Sequence, residues 1–457
     1  MSTAPADSTA PPPSAEEVEG HLKRVLGTPS LVLFGLVYMV PLTVFTTYGA
    51  VTVLTGGRVP VAYLLTLAAM VFTARSYARM VVAYPVAGSA YTYSQKSFGA
   101  PVGFLVGWSL LLDYLFLPML NYLVIGLYMG DALPAVPQWV WIIVSIAIVT
   151  ILNIVGIVSV SWANVVIIGM QTVFIVVFVA MSISTISGAG DVNFLAPLSG
   201  DGSVDATGVL FTGAAILCLS FLGFDAVSTL SEEAKDAKRT VPKAIMIATI
   251  ASGLIYFLLS YVSQLVFPSN AFDDPDIGSV DVMLAAGGNF LNIFFTAAYV
   301  AGCIGSALTS QASVSRILFA MGRDGVLPRK VFGHVSVRFA TPTFAILVVS
   351  VISLAAIWID LTFLITLVSF GALVAFSAVN LSVIKHYFWD KGERGAVGLF
   401  NNLALPLIGF VLTIGLWRSL EGRAFTIGLI WLAIGFVWLL GVTRGFQRPT
   451  PVLDLKE

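Results

Sequence analysis

Charge is what this sequence has least of. Only 10% of its 457 residues are Asp, Glu, Lys or Arg, while 58% are hydrophobic and the mean hydropathy is +0.95. A soluble domain carries roughly 25% charged residues, so a wetted globule is excluded. The net charge of −1 leaves no basic surface for a nucleic-acid partner. Cysteine is nearly absent: Cys218 and Cys303 both lie in apolar runs and read as buried free thiols. The three histidines, His21, His334 and His386, fall in polar connecting segments, so no histidine metal site or proton relay is expected at membrane depth. No nucleophile–base pair, metal cluster or phosphate loop is visible, which argues against an enzyme and predicts no cofactor. Residues 1–20 lack the basic and apolar regions of a signal peptide and read as a disordered tail.

Apolar runs fill the rest of the chain. They centre near 30–54, 59–80, 102–129, 137–157, 162–187, 208–230, 244–267, 288–312, 342–360, 361–384, 400–417 and 424–443. Each is long enough to cross a bilayer, and a backbone in lipid must satisfy its own hydrogen bonds, which demands helices. The expectation is an all-α integral membrane protein with twelve transmembrane helices. With the N-terminus inside, all but Arg58, Arg418 and Arg423 of the 23 Lys and Arg fall on the inner side, as the positive-inside rule requires. Both ends are therefore expected in the cytoplasm of a multi-pass cell-membrane protein. The outer connections are acidic, with Asp191, Asp201, Asp205, Asp273, Asp274, Asp276 and Asp281. That is ordinary loop polarity or a weak funnel for cations.

Two spans do not read as plain helices. The first holds Val40-Pro41-Leu42-Thr43, followed by Thr46 and Thr47; Pro41 lacks an N–H and clashes with the carbonyl four residues back. The sixth holds Ser220-Phe221-Leu222-Gly223-Phe224-Asp225, where Gly223 permits a second break. These spans open the first and second groups of five helices. Proline and glycine often only ease helix packing. Paired interruptions at matching positions instead mark inverted-repeat transporters that bind substrate at the midplane. Two acids lie near membrane depth, Asp113 in the third span and Asp225 in the sixth, with no Lys or Arg beside them. A charge at mid-bilayer costs roughly 2.5–3.5 kcal/mol on insertion scales, so each is a candidate contact for a cationic substrate or a proton. The structural readings are Asp113 near the end of its span and Asp225 capping the half-helix after the break. Trp108, Tyr114 and Phe116, with Phe221 and Phe224, are aromatic candidates for stacking on an ammonium group; Tyr114 is the first choice among them.

The run from Phe221 to Glu233, followed by Arg239-Thr240-Val241-Pro242-Lys243, resembles the sixth-helix motif of the amino acid–polyamine–organocation superfamily. Pro85 to Tyr93 resembles its loop after helix two. Pro41-Leu42-Thr43-Val44-Phe45, Leu112-Asp113-Tyr114-Leu115-Phe116-Leu117-Pro118-Met119 and Ala312-Ser313-Val314-Ser315-Arg316 are similar to bacterial putrescine importers. The resemblance implies a LeuT-type fold of five plus five inverted helices with two more at the C-terminal end. It divides the chain into a tail (1–28), a core (29–387, with repeats near 29–187 and 206–387), two last helices (388–445) and a second tail (446–457). It implies alternating access with cation symport, usually proton-driven, and a central site from Pro41, Thr43, Thr46, Tyr114, Phe221, Gly223, Phe224 and Asp225. Glu232 and Glu233 are assigned to gating or packing. Two positions depart from the pattern: Thr46 stands where some putrescine importers carry an acid, and Asn164 to Thr172 offers Gln171 where many relatives place a lysine.

The leading functional expectation is import of a small organic amine, putrescine first. Asp225 would anchor one ammonium and Asp113 or freed carbonyls the other. The alternative is an amino acid permease, whose substrate carboxylate would rest on half-helix N-termini. A sensor that moves little solute is a third reading.

Overall fold

The computed structural model describes residues 26–450 apart from 87–88, 156–159, 191, 203–206, 232, 324–326, 334–335 and 337–340. Glu232, His21, His334 and both terminal tails up to Val25 and from Pro451 lie outside the described residues. Among those described, the secondary structure is helical, with a single isolated β-bridge. The long helices are α1 (Thr28–Met39), α2 (Tyr48–Thr55), α3 (Val59–Ala83), α4 (Ser89–Phe98), α5 (Ala100–Ala132), α6 (Gln138–Val155) and α7 (Val160–Gly188). They continue as α8 (Thr207–Leu217), α9 (Ala237–Val266), α10 (Ser279–Arg323), α11 (Thr343–Ser353), α12 (Leu361–Val383), α13 (Leu405–Arg418) and α14 (Gly422–Val442).

Eleven stretches among the described residues are long and apolar enough to cross a membrane, against the twelve expected. The shortfall is the ninth run. Its helix is confined to Thr343–Ile357, with a 3₁₀ end, because Pro342 precedes it and Asp360 caps α12 by accepting from Phe363 N at 2.7 Å. That stretch reaches about 24 Å by helical rise, short of a hydrocarbon core of ~30 Å.

Burial places the centre of the bundle. The most apolar windows of the α5 and α12 spans are each 83% buried inside the protein, against 22% and 17% for those carrying α13 and α14. The core therefore surrounds α5 and α12, and the last two helices lie outside it. α5 packs on α10 and α12, α3 on α9, and α10 on α7. Trp108 belongs to this architecture: its Nε1 donates to Trp431 O at 2.9 Å, Trp431 Nε1 donates to Trp108 O at 2.8 Å, and the rings stack. It fastens α14 to α5 and takes no part in a site.

Both expected interruptions are present. α1 ends at Val40 (φ 49°), one residue before Pro41, and a 3₁₀ turn over Pro41–Phe45 leads to α2. The proline ring bars its predecessor from helical geometry, so the break falls on Val40. α8 gives way to 3₁₀ turns at Cys218–Phe221 and Ala226–Leu230, separated by a turn over 222–225 in which Gly223 has φ 124°. The long α10 is also kinked, at Gly287 and Gly288.

Each end of the broken pair is tied down. On one face, Leu26 N donates to Glu233 O and Lys235 N to Leu26 O, both at 3.0 Å, joining the chain entering α1 to the chain leaving the second break. On the opposite face, Pro275–Gly278 lies so close to α2 that a Cβ on Gly49 would run into the carbonyl of Pro275. There Tyr48 donates to Gln264 at 3.0 Å, Gln264 to Asn270 at 3.2 Å and Asn270 to Asp201 at 2.5 Å.

Candidate functional site

The two breaks, α5 and α10 enclose a narrow cavity of about 20 Å³, room for roughly one water. The broken first span contributes Tyr38, Val40, Thr43 and Thr46, and the sixth span contributes Leu219 and Leu222. α5 supplies Asn121 and apolar neighbours, and α10 supplies Tyr299, Cys303 and Ser306. Broken helix and polar lining belong together, since a freed peptide group in a dry interior needs a partner. Thr43 Oγ1 lies 2.8 Å from Met39 O and 2.6 Å from Val40 O, donating to the carbonyls that the break releases. Tyr128 OH donates to Phe45 O at 3.1 Å. Thr46 and Tyr299 pair through their hydroxyls. Asn121 Nδ2 donates to Leu117 O at 3.0 Å and to Ser306 Oγ at 3.1 Å, clasping α5 to α10.

A second polar cluster adjoins this cavity. Asp113 and Asp225 are both buried and within electrostatic reach of one another and of Tyr38 and Tyr114. Asp225 does not cap the 3₁₀ turn that follows it. Its Oδ1 accepts from Gly223 N at 3.3 Å, and its backbone carbonyl accepts from Ser228 N and Oγ at 2.9 and 2.6 Å. Asp113 Oδ1 is buried with no hydrogen-bond partner among the described residues. Among the described residues no salt bridge reaches either carboxylate. An isolated carboxylate in a dry interior is costly, so this pair calls for a mobile positive charge or a proton. Asp113 also lies 13 residues into the 33-residue α5, well inside the helix and not near its end.

Of the residues singled out in the sequence, Thr43 and Thr46 line the cavity, and Asp113, Tyr114 and Asp225 form the adjoining cluster. Pro41 and Gly223 shape the backbone. A Cβ on Gly223 would stand 2.6 Å from Tyr38 Cδ1, so glycine lets Tyr38 lie across the second break. Phe221 packs edge-on against Tyr256, and Phe224 packs against Tyr77 and Phe376, all fully buried, so neither lines the cavity. Phe116 is partly buried and packs on the core.

Sequence reasoning missed Tyr38, Asn121, Tyr299 and Ser306. All are neutral, and in an apolar run charge is the stronger signal. Asn121 carried a usable signal, an amide in a run otherwise apolar.

Residues 31–451 match the family model described as amino acid permease. The chain is 42% identical over 447 residues to the low-affinity putrescine importer PlaP of Escherichia coli (strain K12), covering 96% of this chain and 97% of that protein. It is 27% identical to the branched-chain amino acid permease BcaP of Bacillus subtilis, over 93% of this chain and 94% of that one. It is 30% identical to the vacuolar cationic amino acid transporter 4 of Arabidopsis thaliana, over 72% of this chain and 57% of that one.

Proposed function

The chain belongs to the amino acid permease family, and from that premise we propose that it imports a small organic amine, putrescine first, by cation symport with alternating access. The observation that carries this reading is the buried pair Asp113 and Asp225 beside two broken helices, which no fixed cation among the described residues reaches. A dication leaving water needs such compensation. Asp225 anchors one ammonium, Tyr114 flanks the methylenes, and the orphan oxygen of Asp113 takes the coupling proton or a share of the amine. Thr43 and Thr46 hold the unwound backbone beside the substrate, with Pro41 and Gly223 fixing the breaks and Phe221 and Phe224 backing them.

The layout that goes with this function is a 5+5 inverted repeat, near 29–187 and 206–387, with α11 as the short ninth member and two outer helices in 388–445. Its support is a mirrored packing pattern: α5 meets α12 in the way that α10 meets α7. We assign the face carrying Leu26 to the cytoplasm, from the distribution of Lys and Arg. Both ends of the broken pair are tied, so the cavity is too small for a diamine until one face opens.

A second reading is an amino acid permease. Thr46, a neutral residue at the first break, favours it, as does similarity to a branched-chain amino acid permease. Uptake of labelled putrescine into proteoliposomes, with a panel of amino acids as competitors, separates the two. Accumulation that leucine and arginine fail to reduce is expected; strong competition by either assigns the site to amino acids. Separate proton and sodium gradients identify the coupling ion.

A further inference from the structure

We propose that Asn121 receives the far ammonium of the transported diamine, so that α5 measures its substrate between a carboxylate and a neutral amide oxygen. The inference rests on the amine reading above and adds a residue, and a length, to it. The amide's orientation is fixed by its surroundings. Its Nδ2 lies 3.0 Å from Leu117 O, and a backbone carbonyl only accepts, so the atom facing it must be the nitrogen. The second N–H goes to Ser306 Oγ at 3.1 Å. Both donors are thus spent inside the protein, and what Asn121 has left for the cavity it lines is Oδ1, an acceptor. Such an oxygen welcomes an ammonium and repels a carboxylate.

Spacing makes the assignment specific. Asp113 and Asn121 stand eight residues apart on one continuous helix with Pro118 between them, which is about 12 Å by helical rise. An extended 1,4-diamine spans roughly 6 Å between nitrogens, and a hydrogen bond of about 2.8 Å at each end brings the total to ~12 Å. Tyr38 lines the same cavity as Asn121 and lies within electrostatic reach of both carboxylates, so it belongs to both ends of the site. A neutral far end also serves release, because a dication held by carboxylates at both ends would leave slowly.

The competing role for Asn121 is a purely mechanical clasp between α5 and α10. Competition binding to the protein in proteoliposomes, with 1,4-diaminobutane and 1-aminobutane as probes, distinguishes them. For Asn121→Leu the diamine should weaken roughly 10- to 100-fold, the loss of a charged hydrogen bond, while the monoamine stays within about twofold. Equal weakening of both overturns the proposal and leaves the amine reading standing. Ser306→Ala removes the clasp and keeps the oxygen; it should preserve the wild-type ratio of the two affinities, and a collapsed ratio there overturns the proposal. The wild type is tested without any substitution by 1,3-, 1,4- and 1,5-diaminoalkanes. A preference for the four-carbon chain supports the ruler, and a diamine that binds no better than the monoamine contradicts it. A wild type that binds no amine at all removes the amine reading, and this inference with it.

Discussion

The two halves of the central site are built from different chemistry. One half holds two carboxylates, Asp113 and Asp225, with Tyr114; the other holds a threonine–tyrosine hydroxyl pair and an amide, Thr46, Tyr299 and Asn121; Tyr38 belongs to both. The charged half joins α5, which carries Asp113 and Tyr114, to the second break, where Asp225 grips the backbone N–H of Gly223 inside the irregular turn. The neutral half joins Thr46, at the first break, to α5 and α10, which Asn121 and Ser306 fasten together. The difference separates two tasks. Charge supplies binding energy and gives the second break a reason to move. Neutral oxygens measure and select.

Substitutions in the charged half should therefore cost more than those in the neutral half. Asp225→Asn removes an anchor from a desolvated ammonium and should lower putrescine uptake at least 100-fold, with protein in the membrane unchanged; near-normal uptake would take Asp225 out of the site. Gly223→Ala places a methyl group against Tyr38 at a φ of 124° that L-residues avoid. It should cut uptake severely and lower the thermal midpoint of the purified protein, whereas unchanged melting would show that the turn relaxes freely. Tyr38→Ala takes away a ring shared by the halves and should raise the KM for the diamine about 10-fold; Tyr38→Phe should restore most of it, and failure to do so would assign the hydroxyl a role that the ring lacks. Thr46→Val breaks only the pair with Tyr299 and should change KM by about two- to tenfold. An effect of Thr46→Val as large as that of Asp225→Asn would erase the distinction between the halves.

The same division governs how much the sequence revealed. Both breaks were legible, because Pro41 restricts the backbone and Gly223 tolerates a φ that other residues avoid. The shift to Val40 follows from the constraint a proline places on its predecessor. Asp113 and Asp225 were legible because an acid inside an apolar run is costly wherever it lies. Membrane spans were legible down to the ninth, whose apolar run looked long enough until Asp360 proved to be the cap of α12. Trp108, Phe221 and Phe224 pack into the core, since an aromatic near a break does so as readily as it packs over a ligand. Tyr38, Tyr299 and Ser306 stayed hidden, while Asn121 showed only as an amide in an apolar run. A hydroxyl that faces a cavity reads in the sequence like one that bonds its own helix, as those of Thr66 and Ser310 do.

Equilibrium binding of 1,4-diaminobutane to the purified protein, measured for Asp113→Asn, Asp225→Asn and the two combined, bears most directly on the carboxylate pair. The account predicts that each single substitution weakens binding and that the double variant loses less than the two losses added, because both carboxylates act on one bound cation. A double variant that binds the diamine as tightly as the wild type would contradict it.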